Sequence, residues 1–517
     1  MRSSTRVALN TFVTYARSVA GLVFGLFSSR WILAALGQTD YGIYGVVGSV
    51  VAMATFLNIV MATSVSRFYS VSIGGAGAGA SPKDSNDELK GWFNAALGLH
   101  LILAVTVLVV GWPLGEMAIR HWLVIPAERI ESCLWVFRAS LGASTLSVAT
   151  SPYISMFTAW QRFGEQALFE FLRTGATFVV AGLLLSANGD RLVTLAFALA
   201  GISSVLSLIQ VIRARVRFGA CRFDFGQLFR LRRMHELLSY AGCRILGVFG
   251  WLVQKHGGAF AVNVSFGAKA NAALSIAYTV LTHASALANA LASALVPALA
   301  TEIGKGESAA AKSLALKSCK FSGVLAAICA IPLLFEMDYV LRLWLHSPPD
   351  GAATMAFSFV VTMGIEGSTT GIVAALSAIR HLGRWQMFEC LALSATSPVA
   401  WYLFSRGMPF TVFGNVLIVV SCVTAAGRIW FAKKLLGISP RDWFCQSLLP
   451  LATVFVVSMC VAGIVRMSMA PSLLRVILVG MSAVCATLLS AWGFAFDGGE
   501  RSVFIEQFLN RRALTRR

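Results

Sequence analysis

Arg17 and Arg244 each lie about a turn and a half inside the start of a long apolar run, one in each half of the chain. A guanidinium binds phosphate oxygens through paired N–H donors, so together they can present positive charge to a phosphate or pyrophosphate headgroup. Each can equally run its aliphatic stem along the helix and leave its charge at the membrane surface. Lys255 and His256 stand later in the same run as Arg244, and His283 stands near the middle of the next. These three are candidates for headgroup binding or proton coupling, although a lone helical histidine is commonly a hydrogen-bonded packing residue. Glu366 interrupts an otherwise uncharged run and is followed by Gly367-Ser368-Thr369-Thr370-Gly371, small and polar enough for a bend or a close helix contact. It reads either as a cation or proton site or as half of an interhelical ion pair. Glu389 reads as interfacial. Arg138 and Arg173, with Glu165 and Glu170 nearby, read as helix-stabilising pairs such as Glu170 with Arg173, or as part of a substrate groove. Charge in hydrocarbon is costly, which is why these few positions stand out.

The runs that carry them have the length of membrane spans. The chain has 517 residues, 57% hydrophobic and 13% charged, against about a quarter charged in a soluble domain. Residues 91–115, 139–161, 192–212, 407–427 and 476–496 contain no Asp, Glu, Lys or Arg. Each supplies about 20 residues of apolar helix, enough for a hydrocarbon core of about 30 Å. A β-barrel would alternate in polarity over about ten residues. The expected fold is therefore all-α and polytopic, with about fourteen transmembrane helices. They are placed near 12–36, 42–66, 92–115, 133–157, 167–187, 192–212, 238–262, 272–297, 317–337, 352–378, 385–404, 408–430, 446–466 and 473–496. The stretch after Arg2 and Arg6 runs on to Leu36 without a small-residue cleavage pattern, and is expected to be a retained first span.

Charge orients the chain. With the amino end inside, Lys and Arg on inside segments, Arg428 counted among them, outnumber those outside roughly threefold, as the positive-inside rule requires. Both termini are then cytoplasmic in a bacterial inner membrane. The net charge of +19 has this topological origin, so nucleic acid is not an expected partner. The densest basic cluster, residues 213–235, either anchors on anionic membrane lipid or captures an anionic lipid substrate from the inner leaflet.

That cluster divides the chain. The expected organisation is a six-helix lobe over 1–212, a basic cytoplasmic linker over 213–237, a second six-helix lobe over 238–436, and two additional helices with a basic tail over 437–517. Tyr15-Ala16-Arg17 and Tyr240 to Arg244 begin the two lobes alike, and each lobe's next helix ends in small residues. Such parallel repeats relate two bundles that can rock between inward and outward openings.

Catalytic chemistry finds no foothold. The sequence has no GxxxxGK phosphate loop, no HExxH and no clustered set of metal ligands, and its ten cysteines are scattered without a CxxC. No cofactor, metal or bond-making activity is expected; transport is what remains.

The segment Arg30-Trp31-Ile32-Leu33-Ala34-Ala35-Leu36-Gly37-Gln38-Thr39-Asp40-Tyr41-Gly42-Ile43-Tyr44 resembles the first turn of the polysaccharide-transport, or oligosaccharide flippase, branch of the multidrug/oligosaccharidyl-lipid/polysaccharide exporter superfamily. Arg67-Phe68-Tyr69 and Leu295-Val296-Pro297-Ala298-Leu299 are also similar to that branch. The resemblance implies a flippase that moves an undecaprenyl-pyrophosphate-linked oligosaccharide from the cytoplasmic to the periplasmic leaflet for lipopolysaccharide or exopolysaccharide biosynthesis. It implies alternating access of two lobes, a cationic cavity that Arg17 and Arg244 would fit, and coupling to a proton or sodium gradient. A polysaccharide polymerase and glycosyltransferases would be its partners. A multidrug or small-molecule cation antiporter using Glu366, a peptidoglycan-precursor flippase and a non-transporting membrane scaffold are the alternatives.

Overall fold

The computed structural model describes residues 2–75, 82–286, 288–289, 299, 308–377 and 383–502; the side chains of 2–20, 74–75, 82–85, 243–244 and 308 are outside that description. The described residues are helical with no strand. An apolar backbone in lipid has no water to bond, and a helix satisfies its N–H and C=O groups within one segment. Each of the fourteen expected stretches falls on helix as far as it is described, within a few residues at its ends and with breaks that include 368–369 and 395; residues 287 and 290–298 of the stretch 272–297, and 378 of the stretch 352–378, lie outside the described residues. The chain is a polytopic all-α membrane protein.

Among the described residues, eight helices are long and apolar enough to cross a membrane, or up to ten if each of two bent pairs is one span. This count is lower than fourteen partly because one helix, kinked but continuous in the chain, can carry two expected spans. Helix α1 (Arg2–Gly75) contains the 53-residue apolar stretch Gly21–Ile73, about 80 Å at 1.5 Å per residue, more than one crossing needs. Gly37 breaks it, with φ 73° and ψ 175°. Gly267 breaks α9 (Gly258–Ala284) in the same way, with φ 77° and ψ −171°. Only glycine takes this backbone region without a Cβ penalty. The breaks fall between the expected spans 12–36 and 42–66 and between 238–262 and 272–297.

The chain forms two compact units. The first comprises Met1–Ala272 with Ala400–Phe410. It holds α1, α2 (Pro82–Thr106), α3 (Trp112–Met117), α4 (Ile130–Ala159), α5 (Phe163–Leu184), α6 (Arg191–Arg217), the short α7 (Phe225–Leu228), α8 (Leu231–Leu252) and the first part of α9. Its centre is α4, which packs on α1, α2 and α6 and buries Leu134, Phe137, Leu141, Met156 and Phe157. Helix α8 packs on α1 and α2, with the Arg67 guanidinium 4.2 Å over the Tyr240 ring. Residues 400–410 belong here through the edge-on contact of Phe404 with Phe266, 5.1 Å between centroids.

The second unit comprises Ala273–Val399 and Thr411–Arg517. It contains α10 (Ser308–Leu345), α11 (Ala352–Gly367), α12 (Thr370–Ser377), α13 (Gly383–Ser394), the first turn of α14 (Thr396–Ser405), α15 (Val412–Leu436), α16 (Pro440–Trp443), α17 (Leu449–Met467) and α18 (Leu473–Ser490). The last two form a hairpin on α10. Two buried ionic contacts fix it there. Arg475 Nη2 lies 2.7 Å from Glu336 Oε2, and Lys320 Nζ lies 2.8 Å from Glu500 Oε2.

Large apolar side chains stand exposed along the helices of both units, including Val179, Leu183, Val456, Ile464 and Leu489. In water such a surface would drive association; facing lipid it is the solvent-compatible one. Cohesion inside each unit then comes from close packing and satisfied polar contacts, because lipid chains are as apolar as leucine.

Candidate functional site

The described chemistry of the second unit converges at the bend between α11 and α12. The two helices meet at 57°. Such a bend frees backbone groups that lipid cannot satisfy, and the polar run recognised in the sequence satisfies them. Ser368 Oγ donates to the Ile365 carbonyl at 2.7 Å, and Thr369 and Thr370 donate to the Glu366 carbonyl at 3.2 and 3.1 Å. Trp443 Nε1 donates to the Ser368 carbonyl at 3.0 Å. Gly371 lies against the Ala315 carbonyl of α10, where a Cβ would come within 2.1 Å. Bend and close contact are both present.

Glu366 occupies the last turn of α11, where its carboxylate accepts from Arg428 Nη1 of α15. Glu389, on α13, accepts from the same guanidinium through Nη2 and, at 3.0 Å, Nε. Nη1 also donates to Thr369 Oγ1 at 3.1 Å. The Arg428 side chain is 7% exposed, Glu389 13% and Glu366 35%. Of the two readings left open for Glu366, an interhelical pair describes its geometry. Glu389 is enclosed by protein, and Arg428, counted with the cytoplasmic basic residues, is buried between two carboxylates. With all three ionised the triad carries one negative charge in excess, which one proton or one monovalent cation neutralises. Glu366 is its most exposed member.

The other candidates lie apart from this triad. Lys255 and His256 fall in a π-helical turn, Val253–Gly257, that links α8 to α9 in the first unit. Lys255 Nζ lies 5.1 Å over the Trp251 ring and His256 meets the same ring edge-on at 6.2 Å. His283, in α9 beyond Gly267, is half-buried with no hydrogen bond or ion pair among the described residues. Arg17 and Arg244 lie on the helical backbones of α1 and α8, and their side chains are outside the described residues.

Glu165 pairs with Arg213 at 2.9 Å and Arg217 at 3.4 Å, both on α6 rather than on its own helix, while Arg138 pairs with Glu116 at 2.8 Å and, two turns along α4, with Glu131 at 3.9 Å. Asp40, within the motif that carries the family resemblance, receives Arg129 Nε at 2.9 Å. Arg129 also donates to both oxygens of Asp190 at 3.0 Å, and Ser132 Oγ donates to Asp190 at 2.5 Å. The motif therefore breaks α1 at Gly37 and clips the break to the starts of α4 and α6. Burial opposes ionisation of Asp190, but hydrogen bonds from Ser132 and Arg129, a backbone N–H and the adjacent positive charge outweigh it and hold the carboxyl below its usual range.

Sequence reasoning missed Arg428, Glu389 and Thr369 as a unit with Glu366. A weak signal was present: an Arg and two Glu residues interrupt three neighbouring apolar runs, and lipid demands that such groups pair.

No family model matches the chain, and no curated protein matches it in sequence. Solved structures do match in fold. A lipid II flippase, MurJ, in an inward closed conformation superposes with a TM-score of 0.68 at 11% identity, covering 96% of this chain and 100% of its own. An inward-facing multidrug resistance MATE family transporter of the MOP superfamily gives a TM-score of 0.67 at 13% identity, covering 81% of this chain and 94% of its own. A MOP superfamily transporter from Pyrococcus furiosus, described as having a binding pocket of reversed polarity, gives 0.54 at 14% identity, over 81% of this chain and 95% of its own. The chain has the fold of the MOP superfamily transporters.

Proposed function

We propose that this chain is a flippase for a lipid-linked oligosaccharide, moving an undecaprenyl-pyrophosphate-linked repeat unit across a bacterial inner membrane for surface polysaccharide biosynthesis. One observation carries the reading: the lipid II flippase covers 96% of the chain and all of its own length, whereas the MATE transporter covers 81%. A fold shared over the whole chain with a carrier of a lipid-linked precursor favours a lipid-linked substrate over a small soluble one. The motif at residues 30–44 supports the oligosaccharide branch.

In this proposal the lobes 1–212 and 238–436 alternate in access, with both termini cytoplasmic. Arg17 and Arg244, assisted by Lys255, hold the pyrophosphate through charge-assisted hydrogen bonds. Glu366 takes up and releases the coupling proton or sodium ion, with Arg428 and Glu389 setting its charge balance; His256 and His283 are further coupling candidates. The substrate crosses without bond chemistry, delivered by glycosyltransferases and passed to a polymerase.

The test is reconstitution in liposomes carrying fluorescent undecaprenyl-pyrophosphate oligosaccharide in one leaflet, with and without an imposed gradient. Wild type is expected to move the lipid, and Arg17→Gln/Arg244→Gln to lose movement while inserting normally. Normal movement by that variant sinks the headgroup assignment. A second reading, cation antiport, is favoured by the excess negative charge of the Glu366 triad. Cation efflux without lipid movement in the same liposomes would select it.

A further inference from the structure

A second basic site lies in the first unit, at the end of the bundle where α4 turns into α5 and α6 ends. A cavity of about 360 Å³ opens there, and Arg162, Arg213 and Arg217 line it with Asn86. Among the described residues no carboxylate lines it. Glu165 lies behind, bonded to Arg213 and Arg217, so three guanidiniums face one neutralising charge. Arg162 follows the left-handed Gln161 in the turn, and among the described residues its guanidinium has no hydrogen-bond or ionic partner. The positive end of α5 begins at the next residue, Phe163, adding to the field an anion meets. An unpaired guanidinium beside two whose donors are only partly used is suited to phosphate oxygens.

The surroundings identify the source of that phosphate. Arg162 precedes one candidate span, Phe163–Leu184, while Arg213 and Arg217 fall in the last turns of another, Arg191–Arg217. The cavity thus lies where apolar helix ends, at headgroup level. Trp160 and Val216 line the cavity and Phe163 adjoins it, all three exposed. Aromatic side chains in that position belong to the membrane–water interface.

We infer that this cavity is a binding site for the phosphate headgroup of an anionic membrane lipid, held by Arg162, Arg213 and Arg217 with its chains along the exposed faces of Val216 and Phe163. It does not rest on the transport reading, since a transporter, an antiporter or a scaffold could each hold such a lipid.

The full chain in neutral detergent is titrated with short-chain fluorescent phosphatidylglycerol, with phosphatidylcholine as the neutral comparison and inorganic phosphate as competitor. Phosphatidylglycerol is expected to bind more tightly, and Arg162→Gln, which breaks no internal contact, to weaken it about tenfold. Glu165→Gln, which frees Arg213 and Arg217, is expected to tighten it, so the assignment does not hang on one variant. Thermal unfolding checks that both variants are folded. Equal affinity for the two lipids, or unchanged affinity in both variants, overturns the site. Phosphate displacing the lipid at equal concentration overturns the lipid source.

Discussion

Arg428 and Glu366, 62 positions apart in the chain, form a direct ion pair between α15 and α11, and Glu389 of α13 accepts from the same guanidinium. One buried cation therefore holds three helices of the second unit together. Removing it leaves two carboxylates without compensation, and breaking a buried pair from one side costs about 3–5 kcal/mol. Arg428→Leu is expected to unfold at markedly lower temperature in detergent than wild type. Glu366→Gln, which leaves Arg428 bound to Glu389, should lose far less stability while abolishing gradient dependence. Equal losses in the two variants would contradict the assigned roles.

The clip at Arg129 predicts a pH dependence. Asp190 is held below its ordinary value of 3.8. A carboxyl with a lowered folded pKa contributes stability that is fully present above its unfolded pKa and is lost as pH falls through the folded value. Asp190→Asn should therefore be less stable than wild type at neutral pH, with the gap closing only below the ordinary carboxylate range. Melting curves from pH 7 down to strong acid read this directly; a gap that closes nearer neutrality would show that Arg129 does not hold the charge.

Gly42, in the motif read from the sequence, makes a backbone contact that admits no side chain. A Cβ there would fall 1.7 Å from the Ala268 carbonyl oxygen and 3.1 Å from the Ala272 amide nitrogen. Gly42→Ala must push two helices apart and is expected to cost about 1–3 kcal/mol. Gly48→Ala, one and a half turns on in open space, should be neutral or stabilising by up to about 1 kcal/mol. Similar melting of the two variants would argue against the contact.

Lys320 and Glu500 are 4% and 6% exposed and fix the segment after α18 to α10. Lys320→Met alone leaves the buried carboxylate only the more distant Lys317, at 3.8 Å, so it should destabilise more than the double variant Lys320→Met/Glu500→Leu, which removes both charges. The order of the two melting temperatures is the measurement; a double variant worse than the single one would mean the pair itself is strongly stabilising.

Hydropathy alone determined that this chain is a helical membrane protein and roughly where its helices run, because lipid imposes the same demand on every spanning segment regardless of what it packs against. Glu366 stood out for the same reason: a carboxylate in an apolar run is visible without knowing its partner. The bend beside it was legible in Gly367 to Gly371, whose small and polar side chains can satisfy a broken helix locally. Partnership was not legible. Arg428 looked like one more basic residue near a helix end, and Asp40 like a turn residue, since nothing in local sequence says which distant side chain will arrive opposite. Glu165 was placed beside Glu170 and Arg173 on the strength of helix spacing, yet it bonds Arg213 and Arg217 on another helix. Local periodicity is set by the helix itself, but the partners of a buried charge are set by how helices pack, and only the tertiary structure decides that.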